Sequence, residues 1–215
     1  MGAYYQHDGI TLYLGDCREV TEWLTADVLV TDPPYGIRRA NWRSNAPCIA
    51  GELRSGAGAS DRVLTDEHVA IRNTALNLWG TRPATRMRLI WDKGVAKIGG
   101  VGNWFTTDEE IYLVGDWENK RGMPRKPRGS VIRQNAEHEN SGRRPNHPTP
   151  KPIGLMITLL DECPLGVIAD PFAGSGSTLV AAKMQGREAI GVELEERYCE
   201  TAARRLDQGV LEFPA

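Results

Sequence analysis

Apolar positions fall in short runs broken by glycine, proline and charge, and two periods alternate along the chain. Ile10-Thr-Leu-Tyr-Leu14 alternates as a strand does and ends at Gly15-Asp16-Cys17, after which the pattern predicts an amphipathic helix through Leu24. Asp27-Val-Leu-Val-Thr31 reads as a buried strand. It stops at Asp32-Pro33-Pro34-Tyr35-Gly36, since proline has no N–H for the ladder. Ile37 to Thr65 is rich in Gly, Ala, Ser and Arg without a period, as expected of a functional or disordered loop. The spacing of Val69, Ala70, Leu76 and Leu78 behind a Thr65 or Asp66 cap predicts a helix over Asp66–Trp79.

Further on, Arg88–Trp91 reads as a strand followed by a Gly-rich loop, and Glu110–Val114 and Gly129–Arg133 as two more. The basic stretch Lys120 to Arg128 would join the last two as a hairpin arm. The C-terminal third alternates cleanly: helix Ile153–Asp161, strand Gly166–Asp170, helix Ser175–Gln185, strand Glu188–Glu193, helix Glu195–Leu206. Strands alternating with helices predict an α/β domain built on a largely parallel sheet, and no internal repeat is visible.

Composition adds bounds. The chain has 215 residues, 40% of them hydrophobic, and a formal net charge of -2, which suits one compact domain spanning 1–215. No apolar run approaches the ~18 residues of a membrane span. The N-terminus MGAYYQHDGI lacks a basic region followed by an apolar stretch, so no signal peptide is expected. Cys17, Cys48, Cys163 and Cys199 have no metal-ligand spacing and read as reduced thiols of a cytoplasmic protein; no metal is expected. Charge is uneven: Glu118–Lys151 carries nine Lys/Arg against three Glu, and Pro152 to the end five Lys/Arg against ten Asp/Glu. A solvated basic face explains this as well as a phosphate-contacting surface does.

Two segments carry candidate chemistry. Asp170-Pro-Phe-Ala-Gly-Ser-Gly-Ser-Thr178 joins a buried strand to a helix, and Gly174 and Gly176 would let the backbone turn and approach a ligand. Glu193 ends the next strand, where a carboxylate can hold ribose hydroxyls. A dinucleotide site is disfavoured because Leu179 stands where a third glycine is needed, and the phosphate-cradling G-x-x-x-x-G-K-[ST] is absent. A structural strand-to-helix turn is the alternative. The second segment is Asp32-Pro33-Pro34-Tyr35, at the carboxyl end of a strand, where open α/β sheets bind ligands. An aromatic amine is a poor nucleophile because its lone pair is delocalised. The Asp32 carboxylate and the Pro33 carbonyl could each accept one of its N–H groups and aim the lone pair at a methyl donor. Tyr35 would stack on the base. The alternative is a proline-rich turn with a capping Asp.

Asp32-Pro33-Pro34-Tyr35 together with Phe172-Ala-Gly174-Ser-Gly176 resembles the DNA amino-methyltransferases, which pair a D/N/S-P-P-Y/F/W motif with F-x-G-x-G. The catalytic motif precedes His147-Pro-Thr-Pro-Lys-Pro152 and the glycine loop, the order of the circularly permuted β-group. The resemblance implies a seven-stranded, doubly wound, mostly parallel sheet with one reversed hairpin. In that sheet the strand before Asp32 would lie beside the strand before the glycine loop. It further implies that Asp170, Phe172, Gly174, Gly176 and Thr178 line an S-adenosylmethionine site, with Glu193 on the ribose and Asp16 near the cofactor's adenine. His147, Thr149 and Lys151 would hold its methionine end, although a turn role explains His147 equally.

Asp at the first catalytic position favours adenine N6 in that family, and Ser would favour cytosine N4. A base must leave the duplex to reach such a site. Two loops, about 36–62 and 117–146, would contact double-stranded DNA, through Arg38, Arg39 and Arg43, and through Lys120, Arg121, Arg125, Lys126 and Arg128. The first also carries Trp42 and Arg54; a flexible basic surface is the alternative for both. Recognition so short would suit a homodimer on a palindromic site. Rival readings are a cytosine-N4, RNA or protein-glutamine methyltransferase, and a non-catalytic DNA-binding relative on the same fold.

Overall fold

A computed structural model describes residues 2–32, 74–78, 87–94, 98–101, 104–115, 128–136, 147 and 150–208. Among them the chain forms β1 (Tyr5–His7), β2 (Ile10–Leu14), β3 (Val28–Thr31), β4 (Thr74–Leu78), β5 (Met87–Asp92), β6 (Ile98–Val101), β7 (Trp104–Thr106), β8 (Asp108–Gly115), β9 (Val131–Arg133), α1 (Ile153–Glu162), β10 (Ile168–Asp170), α2 (Ser177–Met184), β11 (Ala189–Glu193) and α3 (Glu196–Asp207). Nine strands make one sheet in the order β1-β2-β11-β10-β3-β4-β8-β5-β9, and β6 and β7 pair separately. From β2 to β4 all neighbours are parallel; β8 runs antiparallel to both β4 and β5, and β1 caps the other edge antiparallel.

Strand alternation splits the core in two. Val28 and Val30 of β3 join Ile10, Leu12 and Ile168 under α1, α2 and α3, whose Leu155, Leu159, Leu179, Ala182, Cys199 and Ala202 complete that layer. Leu29, Ala169 and Val192 point to the opposite face, where Trp23 and Val20 cover them. Each fully buried Leu or Ile here contributes about 1.5–3 kcal/mol. The whole of β3 is buried, as expected of a strand covered on both faces.

All seven expected strands are present in the sheet, and β1 and β4 bring the total to nine. The helix expected over Asp66–Trp79 gives way to β4 at Thr74–Leu78. Leu76 and Leu78 fit a period of two as well as a helix, and the open slot between β3 and β8 decides, because both edges of β4 gain ladder partners there. The helix expected to reach Leu24 reduces to a 3-10 turn, Glu22–Thr25. Trp23 is buried there, and its indole N–H donates to the Cys17 carbonyl at 2.7 Å. The hairpin arm is also corrected. β9 pairs parallel with β5 rather than with β8, and β5 lies between the two in the sheet. The Gly-rich stretch after Trp91 holds the β6–β7 ribbon.

Candidate active site

The carboxyl ends of β2, β11, β10 and β3 stand side by side, and each is followed by an acidic residue or the glycine loop: Asp16, Glu193, Asp170–Ser177 and Asp32. Three strand spacings make that row about 14 Å long. Because β8 is reversed, its beginning arrives at the same edge, bringing Glu109 opposite Trp91 of β5.

Asp170 lies fully inside, beneath the loop. Thr31 donates to its Oδ1 at 2.8 Å, the Phe172 N–H to the same oxygen at 3.2 Å, and Thr178 also donates to it. These bonds make Asp170 and Thr178, both expected at the cofactor, also braces of the loop, and the Thr31 bond ties β10 to β3. Burial pushes the Asp170 carboxyl up to about 6, against the pull of these donors. The folded group keeps its proton to about pH 6 and the unfolded one only to 3.8, so its contribution to stability falls as pH rises through that window. Asp170→Asn keeps the Oδ1 acceptor and removes the buried charge. The variant is expected to be more stable at pH 7.5 by about 1–3 kcal/mol, with the gain shrinking toward pH 4. Urea midpoints across pH 4–8 check this, and a pH-independent difference would contradict it.

The glycines serve the protein's own packing. Gly174 has φ +52, and a Cβ there would sit 3.1 Å from His147 Nε2, so the absent side chain seats the imidazole on the loop. His147 in turn meets the Tyr198 ring edge-on at 4.6 Å. Gly176 has φ +78, and its Cβ would lie 2.8 Å from Ala202 Cβ on α3. Arg205 on the same helix donates to the Ser175 carbonyl at 2.6 Å and to the Ser177 hydroxyl at 3.2 Å. No motif flagged Arg205, since its partners are a backbone carbonyl and small hydroxyls.

Glu193 is held by backbone alone: Gly174 N–H donates to one oxygen and Glu195 N–H to the other, each at 2.8 Å. Burial raises its pKa. A carboxylate offers about four acceptor positions, so two bonded N–H groups fix its orientation and leave capacity for a diol. Asp16, at the end of β2, is gripped by Arg18, whose backbone N–H and Nε donate at 3.0 and 2.8 Å. The Gly15 N–H joins β2 to the Glu193 carbonyl at 2.9 Å. A row of carboxylates with an orientable diol acceptor fits a cationic nucleoside such as S-adenosylmethionine.

Asp32 follows β3 next to this loop, as expected from the neighbouring of β3 and β10. Lys151 Nζ lies 2.7 Å from Asp32 Oδ2 and 3.6 Å from Glu109 Oε2. Lys93 pairs with Glu109 Oε1. The structure thus places Lys151 at the Asp32 carboxylate, and with it two residues that no motif contains, Lys93 and Glu109. A sequence signal for Glu109 exists: it shares strand parity with Ile111 and Leu113, the inward positions of β8. Arg128 pairs with Asp161 and Glu162 of α1, at 3.5 and 3.0 Å. Pro33, Pro34, Tyr35, Arg38, Arg39, Arg43, Lys120, Arg121, Arg125, Lys126 and Thr149 lie outside the described residues.

The DNA methylase family model covering N6 and N4 enzymes matches residues 76–204, more than half of the chain. The chain belongs to this DNA methylase family. The methylase is 30% identical over 209 residues to YubD of Escherichia coli (strain K12), which is named as a methylase, with 89% of this chain and 88% of YubD covered. A shorter match, 44% over 64 residues, joins 29% of this chain to 22% of the DNA adenine methyltransferase YhdJ of the same strain. The solved structure of the M1.HpyAVI–SAM complex superposes with a TM-score of 0.62 at 18% identity, covering 92% of this chain and 99% of that one. That likeness shows the class I methyltransferase α/β fold. Among the described residues no helix is long and apolar enough to cross a membrane.

Proposed function

We propose that the methylase transfers a methyl group to the exocyclic N6 of adenine in double-stranded DNA. The observation that carries this reading is an aspartate, residue 32, at the end of β3 beside the loop that β10 presents. Aspartate at that position favours adenine over cytosine within the family. The methyl donor is S-adenosylmethionine, which supplies an electrophilic methyl on sulfonium. Glu193 would hold its ribose, Phe172 and the loop its flank, and His147 and Thr149 its methionine end. Asp32 and Pro33 would take the amine's N–H groups, with Pro34 stiffening the turn and Tyr35 stacking on the flipped base.

DNA contact is assigned to loops 36–62 and 117–146, within one domain spanning 1–215, with a homodimer in the cytoplasm as the working unit. Arg128 is the exception to expect in alanine scanning, since it is engaged with α1. The test is product analysis. DNA methylated by the protein with labelled cofactor should release N6-methyladenine on nuclease digestion. N4-methylcytosine would replace the adenine reading, and an unlabelled product would point to the non-catalytic alternative.

A further inference from the structure

Lys93, Glu109 and Lys151 gather on the indole of Trp91, next to Asp32. The ring is buried and fixed, because its Nε1 donates to the Gln134 carbonyl at 2.6 Å. The two ammonium groups lie 5.3 and 6.0 Å from its centre. Among the described residues the group balances: two carboxylates, Asp32 and Glu109, against two lysines. Such balance is what makes buried charge tolerable. One atom is left over. Glu109 Oε2 is buried and accepts no hydrogen bond among the described residues, and the Lys151 ammonium stops 3.6 Å away. A buried acceptor without a donor is costly, the more so when it is charged.

We propose that Glu109 is a positioning residue for methyl transfer, the second seat of the Lys151 ammonium when Asp32 engages the target amine. This rests on the reading of Asp32 given above. As the N–C bond forms and the donor's C–S bond breaks, the target nitrogen carries one proton too many. That proton passes to the Asp32 carboxylate, which becomes neutral and loses its hold on Lys151. A move of about 1 Å then brings the ammonium to Glu109 Oε2 at ordinary bonding distance. Lys93 keeps Glu109 anchored by its other oxygen throughout. No net charge is created, and Lys151 is never left without a carboxylate.

Among the described residues the groups facing Lys151 are Asp32 after β3, Glu109 on β8 and the Trp91 ring on β5. Lys93 stands behind Glu109, and Asp170 at the end of β10 lies close enough to Asp32 to feel its charge. Burial opposes the charge on Lys151, and Asp32 and Glu109 together outweigh it and hold its pKa above the ordinary lysine value. Removing one of the two carboxylates weakens that hold.

Glu109→Gln is therefore expected to lower kcat about 10- to 100-fold, the scale of a roughly 1 Å misplacement. KM for cofactor and DNA should stay within about twofold. The alkaline limb of the kcat–pH profile should move to lower pH, and Glu109→Asp, which keeps the charge, should restore it. Should Glu109→Gln fail to fold, the paired variant Lys93→Met/Glu109→Gln, which removes both buried charges, carries the same expectations. Parent-like kcat and alkaline limb overturn the proposal. So does a cofactor KM that rises in step with the fall in kcat, which reports a damaged pocket. Asp32→Ala runs alongside. If the parent methylates no DNA, or Asp32→Ala matches it, the proposed function itself fails. If both behave as proposed while Glu109→Gln is normal, only the role of Glu109 falls.

Discussion

Asp32→Ala is expected to slow methyl transfer by about 10³-fold or more while S-adenosylmethionine binds as in the parent. The size follows from what the carboxylate does. An adenine amine has its lone pair drawn into the ring, and it attacks only if its hydrogens are held so that the lone pair faces the donor. In the proposed reaction Asp32 supplies that hold and then accepts the surplus proton, so its removal takes away a positioning and a proton-accepting contribution together. Cofactor affinity should survive, because Glu193 is oriented by Gly174 and Glu195 backbone groups and the loop by Asp170 and Arg205. Lys151 keeps Glu109 within 3.6 Å, so the variant does not strand a buried ammonium. Single-turnover rates with labelled cofactor, beside equilibrium cofactor binding, separate the two quantities. Transfer at the parent rate would remove Asp32 from its role. Joint loss of binding and rate would mean that the residue shapes the pocket rather than the reaction.

Much of this site was legible before any coordinates because parallel strands announce themselves. Asp27–Thr31 and Gly166–Asp170 are apolar runs that stop at an acid, Asp32 and Asp170, and strand ends are where open α/β sheets bind ligands. That logic singled out Asp32, Asp170 and Glu193, which stand at neighbouring strand ends. It could not assign their tasks. Asp170 faces inward to Thr178 and to Thr31, the latter a pairing set by the adjacency of β10 and β3, between residues 139 positions apart. Lys151 sat in a recognisable motif yet turns to Asp32, and Lys93 and Glu109 joined it only because the reversed β8 delivers its first residues to the carboxyl edge. The 74–78 strand was lost for a different reason. Thr-Ala-Leu-Asn-Leu satisfies both periods, and only the empty sheet position between two partners resolves it.

The glycine loop offers the other large effect. Gly176→Ala should destabilise the protein by about 2–5 kcal/mol: roughly 1–2 for a left-handed backbone at a residue with a Cβ, and about 1–3 for overpacking, since that Cβ would sit 2.8 Å from Ala202 Cβ. In a domain of this size the melting temperature falls by about 2–4 °C per kcal/mol. Alanine is small, so the clash can be relieved from the other side. Ala202→Gly removes the opposing methyl at a cost of about 1 kcal/mol for glycine within α3. The double variant should therefore be more stable than the sum of the singles by about 1–2 kcal/mol, with the backbone strain remaining. Strict additivity would mean that α3 does not press on the loop. Cofactor affinity should follow the same cycle, because α3 also carries Arg205 to the Ser175 carbonyl. A helix displaced by the new methyl withdraws that brace, and a helix allowed back by Ala202→Gly restores it.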